Sequence, residues 1–414
     1  MRPTHDIPES FRETVKLGPV DRITYNTVIA AARLLGQWQT PMRASGDLAT
    51  MRFLDKVYWV HKAERPIRRA TRGSGLEAFF EGQSRHAWSL PAGFVPKDEL
   101  TLSAAGDLLP HSYLKGSRSH LYEEVDDLLF GADVSMGNLE CVLSEQPYHR
   151  LVLSARSGAP VSYDSATFDV VKGSRQRAFS FLSAACNHSL DFGPKGAEST
   201  MNKLRAAGIA FHGINDSERD SNLAAVVDQK GFKLGILSFT FGLNGRNPPP
   251  DRPWLVNRAP LNDGVAGVDL SRMVRQLEHC RREAVDFVVA QLHWGFEHEF
   301  YPRPEQIDLA HHLAELGVDT IIGHHPHVVQ PMECYRTRRD PERVVPIYYS
   351  LGNLLNPCSA DYLCESDVAR ITLARGTAAD GPLRTYVRAA RKVRVKQVAD
   401  RVALKVQLTV QEKG

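Results

Sequence analysis

Apolar and polar positions follow two different rhythms along the chain, and the rhythm changes near residue 98. Before that point, residues 25–39 and 48–63 carry apolar side chains at helical spacing, which predicts two amphipathic helices. Residues 88–99 contain two prolines and one glycine, and we expect them to form a linker. The pattern therefore predicts a helical N-terminal extension, residues 1–95, followed by a second domain, residues 96–414.

From residue 99 onward, short apolar runs typical of buried strands alternate with amphipathic helical segments. The helical pattern is clearest in residues 270–284 and 304–317, and a further helix is predicted at residues 120–131. Beyond residue 365 the pattern is rich in strands. This alternation predicts an α/β fold in which layered sheets are flanked by helices.

The composition narrows the class of protein only a little. The chain has 414 residues, of which 43% are hydrophobic and 24% charged, as is usual for a soluble globular protein. A net charge of +3 gives no reason to expect a nucleic-acid partner. Six cysteines without a Cys-x-x-Cys pair favour a reducing compartment. Because neither a long apolar run nor an apolar signal core is present, we expect a cytoplasmic protein without a transmembrane segment.

Polar side chains follow most of the predicted strands at the point where each strand ends. Any one of them could be a helix cap or a turn residue. Ligands bind beyond the carboxyl ends of the strands in open α/β sheets, so the shared position of these side chains predicts a metal or catalytic site. They are Asp107, Asn138, Glu140, Asn187, His188, Asp191, His293, Glu297, His325 and Asn353.

One of these strand ends, TIIGHHPHVVQ at residues 320–330, places three histidines within four positions. A polar turn is the simpler explanation, and a metal site is the alternative. Carboxylates, an amide oxygen and imidazoles form a mixed ligand set that suits Zn, Mn or Fe ions. The carboxylate of Glu140 has two oxygens and could bridge two such ions, which would then promote a hydrolysis.

Six motifs in the second domain occur in an order that resembles the CapA family of capsule and poly-γ-glutamate biosynthesis proteins. They are GDLLP, GNLECVLS, NHSLDFGPKGAEST, QLHWGFEHEFYPRPEQ, IIGHHPHVVQPMECY and YYSLGN. They span about residues 99–375 and leave the N-terminal extension uncovered. The family's fold resembles that of the calcineurin-like metallophosphatases. The resemblance implies a metallophosphatase-like sheet sandwich, divalent metal ions, two in number, and a metal-dependent hydrolase or transferase of phosphoester or peptide-like bonds.

The resemblance also assigns roles to individual residues. His188 is expected to protonate a leaving group, and Asp191 to orient His188. His324 stands at a variable position of its motif and is expected to support the ligands or to face solvent. The implied metal ligands are Asp107, Glu140, Asn187, His293, His325 and His327.

One feature departs from the family pattern, and two glutamates within the fourth motif have no role assigned by the resemblance. Metallophosphatases begin with an Asp-x-His ligand pair, whereas Leu109 occupies the histidine position here and His111 follows two residues later. One metal site is therefore expected to be weaker or differently filled. Glu297 and Glu299 are expected to be solvated, with contact to substrate cations as the alternative.

Two functions remain open from the sequence. The first is a CapA-type enzyme that acts on an anionic or peptide-like, γ-glutamyl substrate. The second is a non-catalytic component that keeps the fold and binds polyglutamate or a synthetase partner. The N-terminal extension, with Trp38, Tyr58 and Trp59, either packs against the core, or caps the site or docks a partner. In the second case a group of basic residues would contact an anionic partner. These residues are Arg65, Arg68, Arg69 and Arg72.

Overall fold

The computed structural model describes residues 7–10, 13, 18–83, 86–145, 160–174, 176–378 and 381–411. The α-helices in these residues are α1 (Pro19–Leu34), α2 (Phe53–Glu64), α3 (Leu76–Gln83), α4 (Asp126–Phe130), α5 (Ser165–Val171), α6 (Gly193–Ala206), α7 (Ser271–Arg282), α8 (Pro304–Leu316) and α9 (Asp361–Cys364). The strands are β1 (Phe94–Leu108), β2 (Val134–Leu139), β3 (Val142–Leu143), β4 (Ser162–Tyr163), β5 (Phe181–Ser183), β6 (Ala210–His212), β7 (Ala225–Gln229), β8 (Phe232–Thr240), β9 (Phe287–His293), β10 (Thr320–His324), β11 (Met332–Arg336), β12 (Val344–Tyr348), β13 (Asn353–Leu355), β14 (Glu365–Ala378), β15 (Arg384–Asp400) and β16 (Lys405–Val410).

Most of the strands belong to two large sheets. The first has the order β16-β15-β14-β1-β2-β5-β6, and β13 pairs with the end of β1. The second has the order β11-β12-β10-β9-β8-β7. Within each sheet the central strands are parallel, so their carboxyl ends lie along one edge: β1 with β2 in the first sheet, and β8, β9 and β10 in the second.

The two sheets pack face to face, and alternation along the strands decides which side chains fill each layer. In β9, Val289 lies in the core between the sheets, whereas Val288 and Ala290 point to the outer core. The core between the sheets also takes Leu102 from β1 and Ile322 from β10. Helices α7 and α8 cover the outer face of the second sheet, and α6 contributes to the outer core of the first. The predicted α/β sandwich with helices outside and a strand-rich C-terminus is confirmed.

Two predicted elements differ from the observed ones because tertiary contacts override the local pattern. The helix predicted at residues 120–131 is reduced to α4, since the preceding chain turns tightly and pairs with β16: the Leu408 amide donates to the Leu121 carbonyl at 3.0 Å. The linker predicted at residues 88–99 becomes a strand from Phe94 onward, because its backbone pairs with β14 up to Ala378. The boundary between residues 95 and 96 stays a prediction.

The chain that follows α2 pairs with the loop after β9, at the carboxyl end of a second-sheet strand. Ile67, just after α2, forms a parallel bridge with Glu299 in the loop that follows β9. The Ile67 amide donates to the His298 carbonyl at 2.8 Å, and the Phe300 amide donates to the Ile67 carbonyl at 2.9 Å. Within the described ranges, no helix combines the length and the apolar character needed to cross a membrane.

Candidate metal centre

Polar side chains from both sheets meet where the strands end. Asp107 lies near the end of β1 and Glu140 follows β2, both in the first sheet. His293 is the last residue of β9, and His325 directly follows β10, both in the second sheet. All four side chains are buried. Because both sheets present the carboxyl ends of parallel strands here, side chains far apart in the sequence become neighbours.

Asp107 accepts hydrogen bonds through both of its carboxylate oxygens. Its Oδ1 accepts a hydrogen bond from Asn138 Nδ2 at 2.8 Å and lies 3.1 Å from His324 Nδ1. Its Oδ2 accepts from the backbone amide of His325 at 3.0 Å and lies 3.7 Å from His327 Nδ1. Asp107 therefore ties the first sheet to the chain after β10.

His293 connects the same two sheets from the other side. Its Nε2 lies 3.1 Å from Asn187 Oδ1 and 3.5 Å from Glu140 Oε1. Its Nδ1 lies 3.2 Å from Asn138 Nδ2. Its ring is 4.8 Å from that of His325, measured between centroids. The structure thus brings Asn187 of the predicted set to the same cluster.

The backbone after β10 adopts a conformation that points the motif histidines inward. His325 and His327 have positive φ values of 95° and 60°, which are uncommon outside glycine and are held only where surrounding contacts enforce them. The Asp107 contact to the His325 amide is one such constraint. Gly323, inside β10 just before this turn, permits a close approach of the backbone, because a Cβ there would lie 1.9 Å from the Tyr349 carbonyl oxygen.

Three groups of side chains bring possible ligand atoms within 4.8 Å of one another. They are Glu140, His293 and His325; Glu297, His325 and His327; and Asp107, Glu140 and His327. Each group shares one residue with each of the other two, namely His325, His327 or Glu140, so the three groups form one continuous cluster.

Several buried atoms of this cluster fit a bound cation. Both carboxylate oxygens of Glu140 and Nδ1 of His325 are buried and lack a hydrogen-bond partner among the described residues. Buried polar atoms are almost always paired, and an unpaired carboxylate is especially costly. A divalent cation among Glu140, His293 and His325 would satisfy these atoms, and nitrogen and oxygen donors of this kind suit Zn, Mn or Fe ions.

Electrostatics in the protein without an ion support the same interpretation. Burial, with the charges of Asp107 and Glu297 nearby, raises the pKa of Glu140 well above its usual value. Burial opposes the protonation of His327, yet the Glu140 and Asp107 carboxylates raise its pKa to about 10. A proton on His327 thus offsets crowded negative charge, which is a role that a cation would take over.

The remaining histidines of the cluster are in the form that binds metal. Burial lowers the pKa of His293 and of His325 well below the usual value, so both rings are neutral at pH 7. Metal ligation requires a neutral imidazole. Although burial acts to raise it, contacts with His324 and His327 hold the pKa of Asp107 well below its usual value. Asp107 is therefore an anionic oxygen donor.

The predicted catalytic pair lies beside the cluster. His188 Nδ1 lies 2.7 Å from Asp191 Oδ2, as expected for a carboxylate that orients an imidazole. The His188 side chain keeps 13% of its surface exposed, whereas the Asp191 side chain is fully buried. A positive charge on His188 would lower the pKa of the neighbouring His293. His188 thus stands between the buried cluster and solvent.

Two residues in the loop after β8 were missed by the sequence reasoning. Arg246 forms an ion pair with Asp191 Oδ1 at 2.9 Å, and Asn244 Oδ1 accepts from Asn187 Nδ2 at 3.4 Å. The signal was present, since residues 242–247 follow a buried strand as the other site segments do. Arg246 fixes the second oxygen of Asp191 and so fixes the carboxylate plane.

Three expectations about neighbouring residues need correction. His324 is only 1% exposed and contacts Asp107, so the solvent-facing alternative is wrong and the supporting role agrees with its position. Glu299 is also 1% exposed, and it is paired with Lys62 at 2.7 Å, so solvation is wrong for it too. Glu297 is largely enclosed, with 15% of its side chain exposed, and accepts a hydrogen bond from the Trp59 indole.

The departure at the first motif is visible in the structure. Leu109 is buried, as an apolar core residue would be. His111 is also buried, and its Nδ1 accepts a hydrogen bond from the Tyr113 amide at 3.1 Å. Neither belongs to the three groups of possible ligand atoms found in the described residues. The loop after β1 therefore does not bring His111 into the missing ligand position.

Comparison with known proteins identifies the family. Residues 101–357 match the family model described as bacterial capsule synthesis protein PGA_cap. The chain belongs to this family, which is the CapA family anticipated from the motifs.

Three curated relatives illustrate the level of sequence identity and the coverage of the match. The chain is 25% identical to the capsule biosynthesis protein CapA of Bacillus anthracis over 275 residues, covering 64% of this chain and 62% of the relative. It is 26% identical to the PGA biosynthesis protein CapA of Bacillus subtilis over 268 residues, covering 62% and 63%. It is 27% identical to a probable polyglutamine synthesis accessory protein of Mycobacterium tuberculosis, covering 42% and 44%. The match to the two CapA proteins thus spans about three fifths of their length.

A solved structure shares a more distant likeness. It is the sulfate thiohydrolase SoxB of Thermus thermophilus, with 16% identity, a TM-score of 0.30, and coverage of 54% of this chain and 35% of that chain.

Proposed function

We propose that this chain is a metal-dependent hydrolase or transferase that acts on phosphoester or γ-glutamyl bonds in poly-γ-glutamate or capsule biosynthesis. The observation that carries the proposal is the cluster at the strand ends, where both oxygens of Glu140 are buried without a hydrogen-bond partner among the described residues. The family membership and the printed names of the CapA relatives support the biosynthetic setting.

In this proposal six residues would hold two divalent ions, and Glu140 would contribute its carboxylate to the set. Bound ions of this kind polarise the scissile bond and activate the attacking water. Asp107 and Glu140 supply the negative charge that neutralises the cations, and neutral His293 and His325 complete the donor set. The proposed ligands are Asp107, Glu140, Asn187, His293, His325 and His327.

Proton transfer is assigned to the pair beside the cluster. Asp191 accepts from His188 Nδ1, so Nε2 is the atom that can give a proton to a leaving group. Arg246 holds the other oxygen of Asp191 through an ion pair at 2.9 Å. The partial exposure of His188 places this proton where a substrate can reach it.

A second function is favoured by one specific observation. Leu109 replaces the second ligand of the usual Asp-x-His pair, and His111 turns to the Tyr113 amide. A chain with an incomplete site could retain the fold as a non-catalytic component that binds an anionic polymer or a synthetase partner.

Elemental analysis of the purified full-length protein separates the two functions. About two equivalents of Zn, Mn or Fe, together with metal-dependent turnover in a screen of phosphoesters and γ-glutamyl peptides, would support the enzyme. A protein that stays free of metal after incubation with Mn²⁺ or Zn²⁺, and that binds polyglutamate, would support the binding component. His120→Ala serves as a control, because His120 is 42% exposed.

A further inference from the structure

Helix α2 lies outside the matched family region, residues 101–357, yet it contacts the metal centre. The contact runs through the loop that follows β9 and carries Glu297 and Glu299. The Trp59 indole Nε1, on α2, donates a hydrogen bond to Glu297 Oε2. Glu297 belongs to the group in which carboxylate and imidazole atoms lie within 4.8 Å, together with His325 and His327.

A buried charge network two residues further along fixes α2 in this place. Glu299 accepts hydrogen bonds from Lys62 Nζ at 2.7 Å and from Arg303 at 2.8 and 2.9 Å. The Tyr58 hydroxyl lies 3.3 Å from the same carboxylate. The Lys62 and Glu299 side chains are 4% and 1% exposed. Breaking a buried pair leaves an uncompensated charge, so this network resists displacement of the helix.

The two glutamates therefore have different partners and different surroundings. Glu299 is neutralised by two cations, so it is a structural anchor. Among the described residues, no Lys or Arg nitrogen lies within 4.0 Å of the Glu297 carboxylate, and the His298 ring lies 3.9 Å from it. Its carboxylate adds negative charge to the cluster that holds Glu140 and His327. A neutral indole donor orients the carboxylate without cancelling this charge.

We propose that Glu297 is a further metal ligand, that Trp59 is its positioning residue, and that α2 is therefore part of the metal centre. This inference rests on the proposed function, because it requires that the cluster bind metal. The hydrogen bond from Trp59 holds one carboxylate oxygen and so fixes the direction of the other. Such contacts orient ligands and strengthen binding of the metal.

Mn²⁺ titration of the full-length protein, stripped with a chelator, tests the inference. Trp59→Phe removes the N–H and keeps an aromatic ring, and it should weaken Mn²⁺ binding roughly 10- to 100-fold. Glu297→Gln should weaken binding at least as much. If Trp59 acts through Glu297, the double variant should bind no more weakly than Glu297→Gln alone.

Tyr362→Phe is the matched control for the interface. The Tyr362 hydroxyl donates to the Ala63 carbonyl of α2 at 3.0 Å, so this variant also removes one hydrogen bond between the helix and the rest of the protein. It leaves the Trp59–Glu297 bond in place. We expect wild-type Mn²⁺ affinity in Tyr362→Phe, even if the thermal stability of the metal-free protein falls as it does in Trp59→Phe.

The outcomes separate this inference from the proposed function. Wild-type affinity in Trp59→Phe, additive losses in the double variant, or an equal loss in Tyr362→Phe would each overturn the role of α2 while leaving the metal centre intact. If Trp59→Phe fails to fold, wild-type affinity in Glu297→Gln overturns the inference and weakened affinity supports it. A wild-type protein that binds neither Mn²⁺ nor Zn²⁺ would refute the proposed function itself.

Discussion

The two sheets contribute different chemistry to the same site. The first sheet supplies the oxygen half, defined as Asp107, Glu140 and Asn187, and the second supplies the histidine half, defined as His293, His325 and His327. Each half alone resembles ordinary polar residues at strand ends. Only the packing of sheet on sheet brings carboxylate oxygens next to imidazoles, so the site depends on the sandwich as a whole.

The halves also differ in how they are held. In the oxygen half, Asp107 is fixed by hydrogen bonds, whereas the Glu140 carboxylate has none among the described residues. In the histidine half, the strained backbone at His325 and His327 sets the direction of the rings. In the proposed metal centre Glu140 would therefore depend on the cation for its stabilisation, while the histidines are pre-arranged by the fold.

The largest effect is expected from removing a member of the histidine half. His325→Ala and His327→Ala should each lose bound metal, and with it all metal-dependent turnover, because each residue belongs to two of the three ligand groups. The pre-arranged backbone should keep the fold largely intact. Metal analysis and circular dichroism of both variants check this, with His120→Ala as control. Wild-type metal content in both variants would remove these residues from the site.

The next effect separates proton transfer from metal binding. His188→Asn should lower turnover by about 10²- to 10⁴-fold, the usual contribution of a general acid. Its metal content should stay at the wild-type level, since the His188–Asp191 pair lies beside the cluster. Turnover on the substrate found by the screen, measured beside metal stoichiometry, checks both statements. A variant that keeps full turnover would show that His188 does not transfer the proton.

A smaller effect tests the dependence of Glu140 on the cation. Free metal at 100 times its Kd stabilises the folded wild-type protein by about 2.7 kcal/mol. Glu140→Gln should lose most of this gain, because a neutral amide neutralises cations poorly. Denaturant unfolding with Mn²⁺ and with a chelator measures the gain. The control is Glu123→Gln, where the side chain is 63% exposed. An undiminished gain in Glu140→Gln would make Glu140 a structural acid.

Much of this arrangement could be predicted from the sequence because it is encoded locally. Buried strands appear as apolar runs, and the polar residues that end them can be read directly, as with His293 at the end of β9. The motif order then indicated which of them belong together. The enclosure of Glu299 could not be read in this way, since its partner Lys62 lies 237 positions away. The same holds for Arg246, because its role in the site comes from its ion pair with Asp191, which is distant in the sequence.

The short α4 shows the same limit for the fold. Residues 120–131 have a helical pattern, but the chain before α4 pairs with β16 near the C-terminus. Its buried Tyr122 donates to the Val171 carbonyl at 2.6 Å. Local pattern predicts an element only when no distant strand competes for its backbone and side chains.

The last effect is confined to stability in acid and concerns a histidine that joins the sheets without belonging to either half. His212, in β6 of the first sheet, accepts a hydrogen bond at Nδ1 from the Ser238 amide in β8 at 2.9 Å. Its Nε2 lies 3.0 Å from the Leu223 carbonyl oxygen. These contacts require the neutral ring. Burial, aided by His279 and opposed by the Leu223 carbonyl, lowers the pKa of His212 from 6.5 to about 4.

Stability should therefore fall in acid through His212. A histidine with a lowered pKa stabilises the folded state fully above the unfolded pKa, here 6.5, and the contribution is lost as the pH falls to about 4. The slope is at most roughly 1.4 kcal/mol per pH unit. His212→Gln removes this titration, so the chelator-treated variant should lose less stability than wild type between about pH 6.5 and pH 4. Urea unfolding across that range, with His120→Gln as control, measures the difference. Equal slopes in His212→Gln and wild type would show that His212 is not the buried neutral link between the sheets.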